Sequence, residues 1–368
     1  MAFTQEDILN ALRHVDDPDI HKDLVTLNMI SQVEVDGNKV SFKVTLTTPA
    51  CPLKEKIKND CINAVHQYVD KNLEVKVEMD SSVTSLRNEN VNVLPSVKNI
   101  ICVASGKGGV GKSTVAVNLA LSLARQGAKV GLIDADIYGP SIPMMLGIRG
   151  QKPDVRLIKD KHFIVPVEVE GIKVLSIGLL VDEKKAVVWR GPMVTSALRQ
   201  FVTDCIWGKL DYMVVDMPPG TGDVHITVAQ TLNVTGAIIV TTPQDVAISD
   251  ARKGLSMFRL EGINVPILGV IENMAYFTPA ELPNNKYYIF GKDGGKKLAE
   301  EYEVPFLGQI PLVQSIREGG DTGKPVIVYG RENEIVTKAF DELAVNVAQQ
   351  VAIKNANLAT GTTEPVLS

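Results

Sequence analysis

The stretch that most constrains the fold runs from Ile100 to Ala120. Ile100–Ile101–Cys102–Val103–Ala104 is a short apolar segment that breaks into Gly106–Lys107–Gly108–Gly109–Val110–Gly111–Lys112–Ser113–Thr114. A helix-like segment, Val115–Ala116–Val117–Asn118–Leu119–Ala120, follows at once. Residues 106–113 fit G-x-x-x-x-G-K-[ST] between a strand and a helix, the setting in which that pattern wraps a phosphate. The glycines let the backbone curl with its N–H groups inward, and the helix adds the positive end of its dipole. Lys112 has the reach for β- and γ-phosphates, and the Ser113 hydroxyl can hold Mg²⁺. An ordinary glycine-rich turn needs neither the strand before it nor the helix after it. The stretch therefore predicts a bound nucleoside triphosphate with Mg²⁺, and every residue from Gly106 to Thr114 is a candidate contact.

Such a loop belongs to a sheet. From residue 99 onward, apolar runs at 99–104, 129–134, 172–177, 211–216, 235–241, 265–271 and 305–310 alternate with helical patterns. That alternation predicts an α/β fold, a parallel sheet covered by helices on both faces with its ligand at the strands' C-terminal ends. Residues 1–80 read as a separate small α+β unit. Its parts are a helix over 4–14 with Thr4 as N-cap, a hairpin of 27–35 and 40–46 around Asp36–Gly37–Asn38, a helix with Leu53, Ile57, Cys61, Val65 and Tyr68 on one stripe, and a strand over 73–79. The polar residues 81–98 read as a linker, 99–350 as the nucleotide-binding domain and 351–368 as a frayed tail. The interval from Gly147 to Trp189 carries too little pattern to place.

Composition narrows the function classes. The 368 residues are 45% apolar and 22% charged, with a net charge of −5, so no global basic field points to nucleic acid. No apolar run approaches the ~18–20 residues that span a bilayer. The N-terminal residues lack the basic and apolar regions of a signal peptide. The four cysteines (51, 61, 102 and 205) show no disulfide pattern. A cytoplasmic protein with neither nucleic-acid nor membrane partners is expected.

Three further strand ends carry residues suited to a nucleotide. The second run of the larger domain ends in Asp134–Ala135–Asp136, two carboxylates placed for a polar task at the γ-phosphate side; a solvated loop carboxylate is the alternative for Asp136. Tyr212–Met213–Val214–Val215 ends in Asp216, which can bind Mg²⁺ directly or through water. Within Met217–Pro218–Pro219–Gly220–Thr221–Gly222–Asp223, Gly220 is the natural N–H donor to a γ-phosphate, because only glycine brings the backbone so close. Asp223 reads as the cap of the next helix. Asn273, after Ile271–Glu272, offers the donor and acceptor that base recognition requires, or else forms a turn. His14, His21, His66, His162 and His225 show no metal-ligand spacing and read as surface or capping residues.

The cysteines read differently from one another. Cys51 precedes Pro52 at a helix start, where the dipole lowers a thiol's pKa, or it simply fills the turn. Cys61 lies on an apolar stripe, Cys102 in a central strand, and Cys205 on a helix beside Ile206 and Trp207.

Lys107 completes K-G-G-x-G-K-[ST] from Lys107 to Ser113, so the chain resembles the deviant Walker A ATPases, among them MinD, ParA, the nitrogenase iron protein and the Mrp/ApbC family. The resemblance implies that Lys107 crosses a dimer interface to the partner's nucleotide and that Asp136, the second Asp of D-x-D, orients the attacking water. Lys107, Lys112 and Asp136 are then the catalytic set. D-M-P-P-G-T-G-D from Asp216 to Asp223 and E-N-M from Glu272 to Met274 are similar to the Mrp/ApbC iron–sulfur cluster carriers, in which the Asn recognises adenine. Asp17–Pro18 and T-x-x-x-C-P from Thr47 to Pro52 resemble the small SufT-like domain of Fe–S assembly factors. Together these imply a homodimer that binds and hydrolyses ATP with Mg²⁺ and binds an Fe–S cluster, or passes one to apoproteins or takes it from a scaffold protein.

One departure matters. The family's C-x-x-C, which holds a cluster bridging two subunits, falls without gaps on Pro279 and Leu282, and no cysteine follows Cys205. The ATPase carries over; the cluster site does not. Cys51 alone combines a reactive setting with access, which makes it the candidate ligand for a labile Fe–S cluster. The alternatives are a MinD/ParA-like positioning ATPase and an ATP-gated adaptor without a cluster of its own. The former wants a basic tail, and residues 351–368 contain only Lys354 as a cation.

Overall fold

The first helix starts where its capping chemistry puts it. In the computed structural model, Asp7 N–H donates to the Thr4 hydroxyl and the Thr4 N–H donates to the Asp7 carboxylate, so α1 (Gln5–Leu12) opens on a capping box. The structure describes residues 3–359 apart from 50, 52, 84, 86–92, 182–190, 280, 283 and 331–333. β1 (Asp16–Asp17) and β2 (Lys22–Asp23) make a two-residue ladder. The expected hairpin is β3 (Ile30–Asp36) and β4 (Lys39–Leu46), turning at Gly37 with φ +60°. α2 (Lys54–Tyr68) then carries the chain to β5 (Glu74–Ser81), parallel to β4. Alternation along β4 buries Val40, Phe42, Val44 and Leu46 in one core with Ile57, Cys61 and Val65 of α2. Tyr68 departs from the expected stripe: it is 52% exposed and stacks on His14, ring centroids 4.0 Å apart, with its hydroxyl left to water.

The second unit opens with β6 (Val97–Ala104) and α3 (Lys112–Arg125) on either side of the glycine-rich loop. Next come β7 (Val130–Asp134), α4 (Ile142–Met145), β8 (Asp154–Ile158), β9 (Lys161–Val165), β10 (Val167–Val169), β11 (Ile172–Ser176), α5 (Ile177–Leu180) and α6 (Gly191–Thr203). β12 (Leu210–Asp216), α7 (Asp223–Leu232), β13 (Gly236–Thr241), α8 (Asp245–Phe258), β14 (Ile267–Glu272) and α9 (Gly294–Glu301) follow. β15 (Phe306–Gln309), α10 (Gln314–Thr322), α11 (Val326–Tyr329) and α12 (Glu334–Ala359) complete the described chain. By Cα proximity the chain divides into residues 1–86 with 348–368, and residues 87–347.

The sheet runs β10-β11-β7-β12-β6-β13-β14-β15, and all seven apolar runs read from the sequence are its parallel strands. Every residue of β7 and β13 is buried, as strands covered on both faces must be. The edge strand β10 is antiparallel to β11. β6 is central, so the loop after it lies at the strands' C-terminal ends, where α/β sheets take ligands.

Four expectations need correction. The unplaced interval 147–189 holds the hairpin β8–β9 as well as β10 and β11; its residues from 182 lie outside the described ones. Both ends of the expected 81–98 linker are strand, because Ser81 still pairs with Leu46 and Val97 already pairs with Leu210. Residues 351–359 are helical rather than frayed, with Val351, Ala352 and Asn355 buried. Cys205 lies beyond α6, which ends at Thr203, and bridges to Ile164.

Candidate nucleotide site

The loop from Gly106 to Gly111 is shaped by what presses on it. A Cβ on Gly106 would stand 2.1 Å from the Asp250 backbone of α8, so only glycine fits. Gly109 and Gly111 have φ of +82° and +81°. A Cβ on Gly111 would also meet Asn273 Nδ2 at 2.2 Å. A Cβ on Gly108 would meet only Pro219 Cβ, at 4.0 Å, and Val110 is buried. Gly111 is the N-cap of α3 and supplies no side-chain cap, which leaves the first N–H groups of α3 for an anion. Lys107 is half-buried on the loop, and its carbonyl accepts from the Ser105 hydroxyl at 2.9 Å. The Thr114 carbonyl accepts from Asn118.

Three strand ends and the start of α3 bring the charges together. Asp216 closes β12 opposite Asp134 of β7, and Asp134 in turn faces Ser176 of β11. Lys112, 6% exposed, places Nζ 2.6 Å from Asp216 Oδ1, 3.9 Å from Asp136 Oδ2 and 3.2 Å from Ser113 Oγ. The Ser113 hydroxyl donates to Asp216 Oδ2 at 2.5 Å. The Ser176 hydroxyl donates to Asp134 Oδ2 at 2.8 Å, and the Asp136 N–H donates to Asp134 Oδ1 at 3.2 Å. Burial, then the neighbouring Asp216, pushes the Asp134 carboxyl up to about 8. Burial also raises Asp136 and Asp216, and the Lys112 ammonium pulls both back. Hard oxygen donors lie beside a buried cation, a set that can take a divalent metal and a polyphosphate once the lysine moves.

The remaining predicted residues sit on the same rim. Gly220 has φ +93°, and its N–H donates to the Ser105 carbonyl at 2.9 Å, so in this conformation that donor is engaged within the protein. Asn273 follows β14 and is buried; one of its amide hydrogens goes to the Val110 carbonyl at 2.8 Å, leaving a second donor and an acceptor. Glu272 beside it accepts from the Gly295 N–H at 2.6 Å and from Gln309 at 2.8 Å, which anchors the start of α9.

Some expectations are overturned here. Asp223 is the first residue of α7, and the N-cap is Gly222. His225 is buried, not a surface residue. Cys51 does not gain acidity from a helix start: α2 begins at Lys54, the thiol packs beside the core of its unit, and burial pushes its pKa up. Burial pushes Cys61, Cys102 and Cys205 up to about 12. Pro279 and Leu282 lie near the Phe277–Tyr287 bridge, on a segment carrying exposed Leu282, Tyr287 and Ile289. Among the described residues, no group of three or more His, Cys, Asp or Glu is placed to hold a metal ion, and no helix is long and apolar enough to cross a membrane. The sequence reading does not single out Ser176, and it takes Asp134 only as one of the Asp134–Asp136 carboxylate pair and Glu272 only as part of E-N-M; a polar residue at the end of a buried strand is the signal for all three.

Residues 96–348 match the model of the NUBPL iron-transfer P-loop NTPases. The chain belongs to that family. Residues 5–79 of the chain also match the iron-sulfur cluster assembly protein model. It is 48% identical over 353 residues to the iron-sulfur cluster carrier protein of Synechocystis sp., covering 95% of this chain and 99% of that one. It is 41% identical over 345 residues to the carrier of Escherichia coli K12, covering 94% and 91%. Among solved structures, a nucleotide-binding protein from Archaeoglobus fulgidus in complex with ADP is 36% identical, with a TM-score of 0.55 over 65% of this chain and 93% of that one.

The buried acid pair sets a pH signature. A carboxyl raised from its ordinary value to about 8 binds a proton in the folded state that the unfolded chain has already lost, so its contribution to stability falls as pH rises through that window. Asp134→Asn removes the effect. The nucleotide-free melting temperature of the parent should fall relative to Asp134→Asn between about pH 4 and pH 8. Melting curves of both proteins across that range check this, and parallel curves would exclude it.

Proposed function

We propose that this chain is a homodimeric, ATP-hydrolysing factor of iron–sulfur cluster biogenesis, binding clusters or moving them between a scaffold and apoproteins in step with its nucleotide. The observation that carries the reading is the Lys112–Asp216–Ser113 contact at the foot of the glycine loop. Similarity along nearly the whole chain to cluster carriers supports the biological setting and favours it over a MinD/ParA-like positioning role.

In this reading the loop N–H groups from Gly106 to Thr114 cradle the phosphates, and Lys112 exchanges Asp216 for the β- and γ-oxygens. Ser113 and Asp216 would hold Mg²⁺, which would supply positive charge at the phosphates. Asp136, held near Lys112, orients the water that attacks the γ-phosphorus as the bond to the bridging oxygen breaks and ADP leaves. Gly220 turns its N–H from Ser105 toward the γ-phosphate. Lys107 reaches the nucleotide of the other subunit, where a cation on the transferring group acts as an arginine finger does. Asn273 reads adenine with the donor and acceptor that Val110 leaves free.

The thiol chemistry favours a second reading, an ATP-gated adaptor whose cargo is ligated by its partner. The family's two ligand positions are Pro279 and Leu282, and burial suppresses ionisation of all four thiols.

Two experiments test these roles. Lys107→Ala should still bind ATP while hydrolysis falls more than about tenfold, roughly 1.4 kcal/mol of barrier; an unchanged rate would remove the trans-acting lysine. Anaerobic reconstitution of the full chain and of Cys51→Ser, with iron, sulfide and visible absorption measured, separates carrier from adaptor. A labile cluster lost in Cys51→Ser supports the carrier, no cluster on either supports the adaptor, and a stoichiometric cluster on Cys51→Ser would refute the ligand assignment.

A further inference from the structure

His225 sits in the first turn of α7, directly after the Met217–Gly222 arch, and is 1% exposed. Its backbone N–H donates to the Gly222 carbonyl at 3.0 Å, and its ring Nδ1 lies 3.2 Å from the same oxygen. A carbonyl can only accept, so Nδ1 carries the ring proton and Nε2 is a bare lone pair. Among the described residues, no donor meets Nε2. The nearby Pro218 carbonyl is a second acceptor and cannot satisfy it. Burial, with Lys112 adding to it, lowers the imidazole's pKa and keeps the ring neutral.

An unmet polar atom in a buried place is costly, so the arch conformation seen here is disfavoured by that nitrogen. The same conformation keeps the Gly220 N–H on the Ser105 carbonyl. A γ-phosphate that draws the Gly220 N–H away must move the arch, which is the structure surrounding the imidazole. We propose that His225 is a positioning residue that makes the site discriminate triphosphate from diphosphate: its unmet Nε2 penalises the empty arch and gains an arch donor when the γ-phosphate pulls Gly220 across. The inference rests on the ATP-site reading above. A ligand shifts a two-state element only by its differential affinity for the states, and Nε2 adds to that difference for ATP but not for ADP, which lacks the group that moves the arch.

The test uses the full chain and measures binding of ADP and of a non-hydrolysable ATP analogue, each with Mg²⁺, by calorimetry. His225→Leu and His225→Phe remove both ring nitrogens while filling the space; His225→Gln keeps a donor and an acceptor. In Leu and Phe, affinity for the ATP analogue should fall about tenfold while ADP affinity changes less than about threefold. The nucleotide-free melting temperature should hold or rise, because a buried unmet nitrogen has gone. Gln should retain the parental preference. Equal loss of both nucleotides, no change in either, or Gln behaving as Leu would overturn the inference and leave His225 a packing residue. Failure of the parent to bind either nucleotide would instead overturn the ATP-site reading itself.

Discussion

A lysine and an aspartate, both buried and 2.6 Å apart, join the glycine loop to the sheet. Lys112 is the first residue of α3 and Asp216 the last of β12, so the contact ties the helix after the loop to the neighbouring strand end. Removing either member leaves a buried charge without its counter-ion, which typically costs about 3–5 kcal/mol. In the proposed function a polyphosphate avoids that cost, because it offers Lys112 another anion as it frees Asp216 and Ser113. Asp134, opposite Asp216 in the ladder, takes up a proton more readily than an exposed carboxyl, so the pocket does not carry three full negative charges around one lysine.

The parallel sheet was legible because strands buried on both faces read as unbroken apolar runs, and all seven were found in that way. The loop was legible because its pattern is local, with Gly109 and Gly111 set by their positive φ, although the contacts that press on Gly106 and Gly111 come from Asp250 and Asn273 far along the chain. Residues whose roles depend on register were not. Asp134 meets Ser176 only because β11 lies beside β7, a pairing that no spacing along the chain reveals. His225 reads as a surface or capping histidine because a single polar residue in a helix carries no signal of its burial. The antiparallel edge strand β10 is three residues long, too short for a period to show. The error at Cys51 has a plain cause. Placing the helix start at Pro52 put the thiol at the dipole, whereas α2 begins at Lys54 and the thiol packs beside its own core.

The segment after Asn273 divides this chain from the cluster-bridging pattern it resembles. Pro279 and Leu282 carry no group that binds iron, and the bridge between Phe277 and Tyr287 lies on a segment with apolar side chains exposed. Lys286 lies over the Tyr276 ring at 4.0 Å, a contact that also restrains the turn. A chain that keeps its glycine loop, its paired strand-end carboxylates and its small N-terminal unit while lacking those thiolates is consistent with the proposed cargo being held by other ligands.

The central claim is that nucleotide displaces Asp216 from Lys112 and so makes the carboxylate available to Mg²⁺. The direct measurement is ATP affinity with and without Mg²⁺, in the parent and in Asp216→Asn. The account predicts that Mg²⁺ tightens ATP binding in the parent by at least about tenfold and that Asp216→Asn loses most of that gain. ATP affinity in the parent that does not depend on Mg²⁺, or an equal gain in Asp216→Asn, would contradict it.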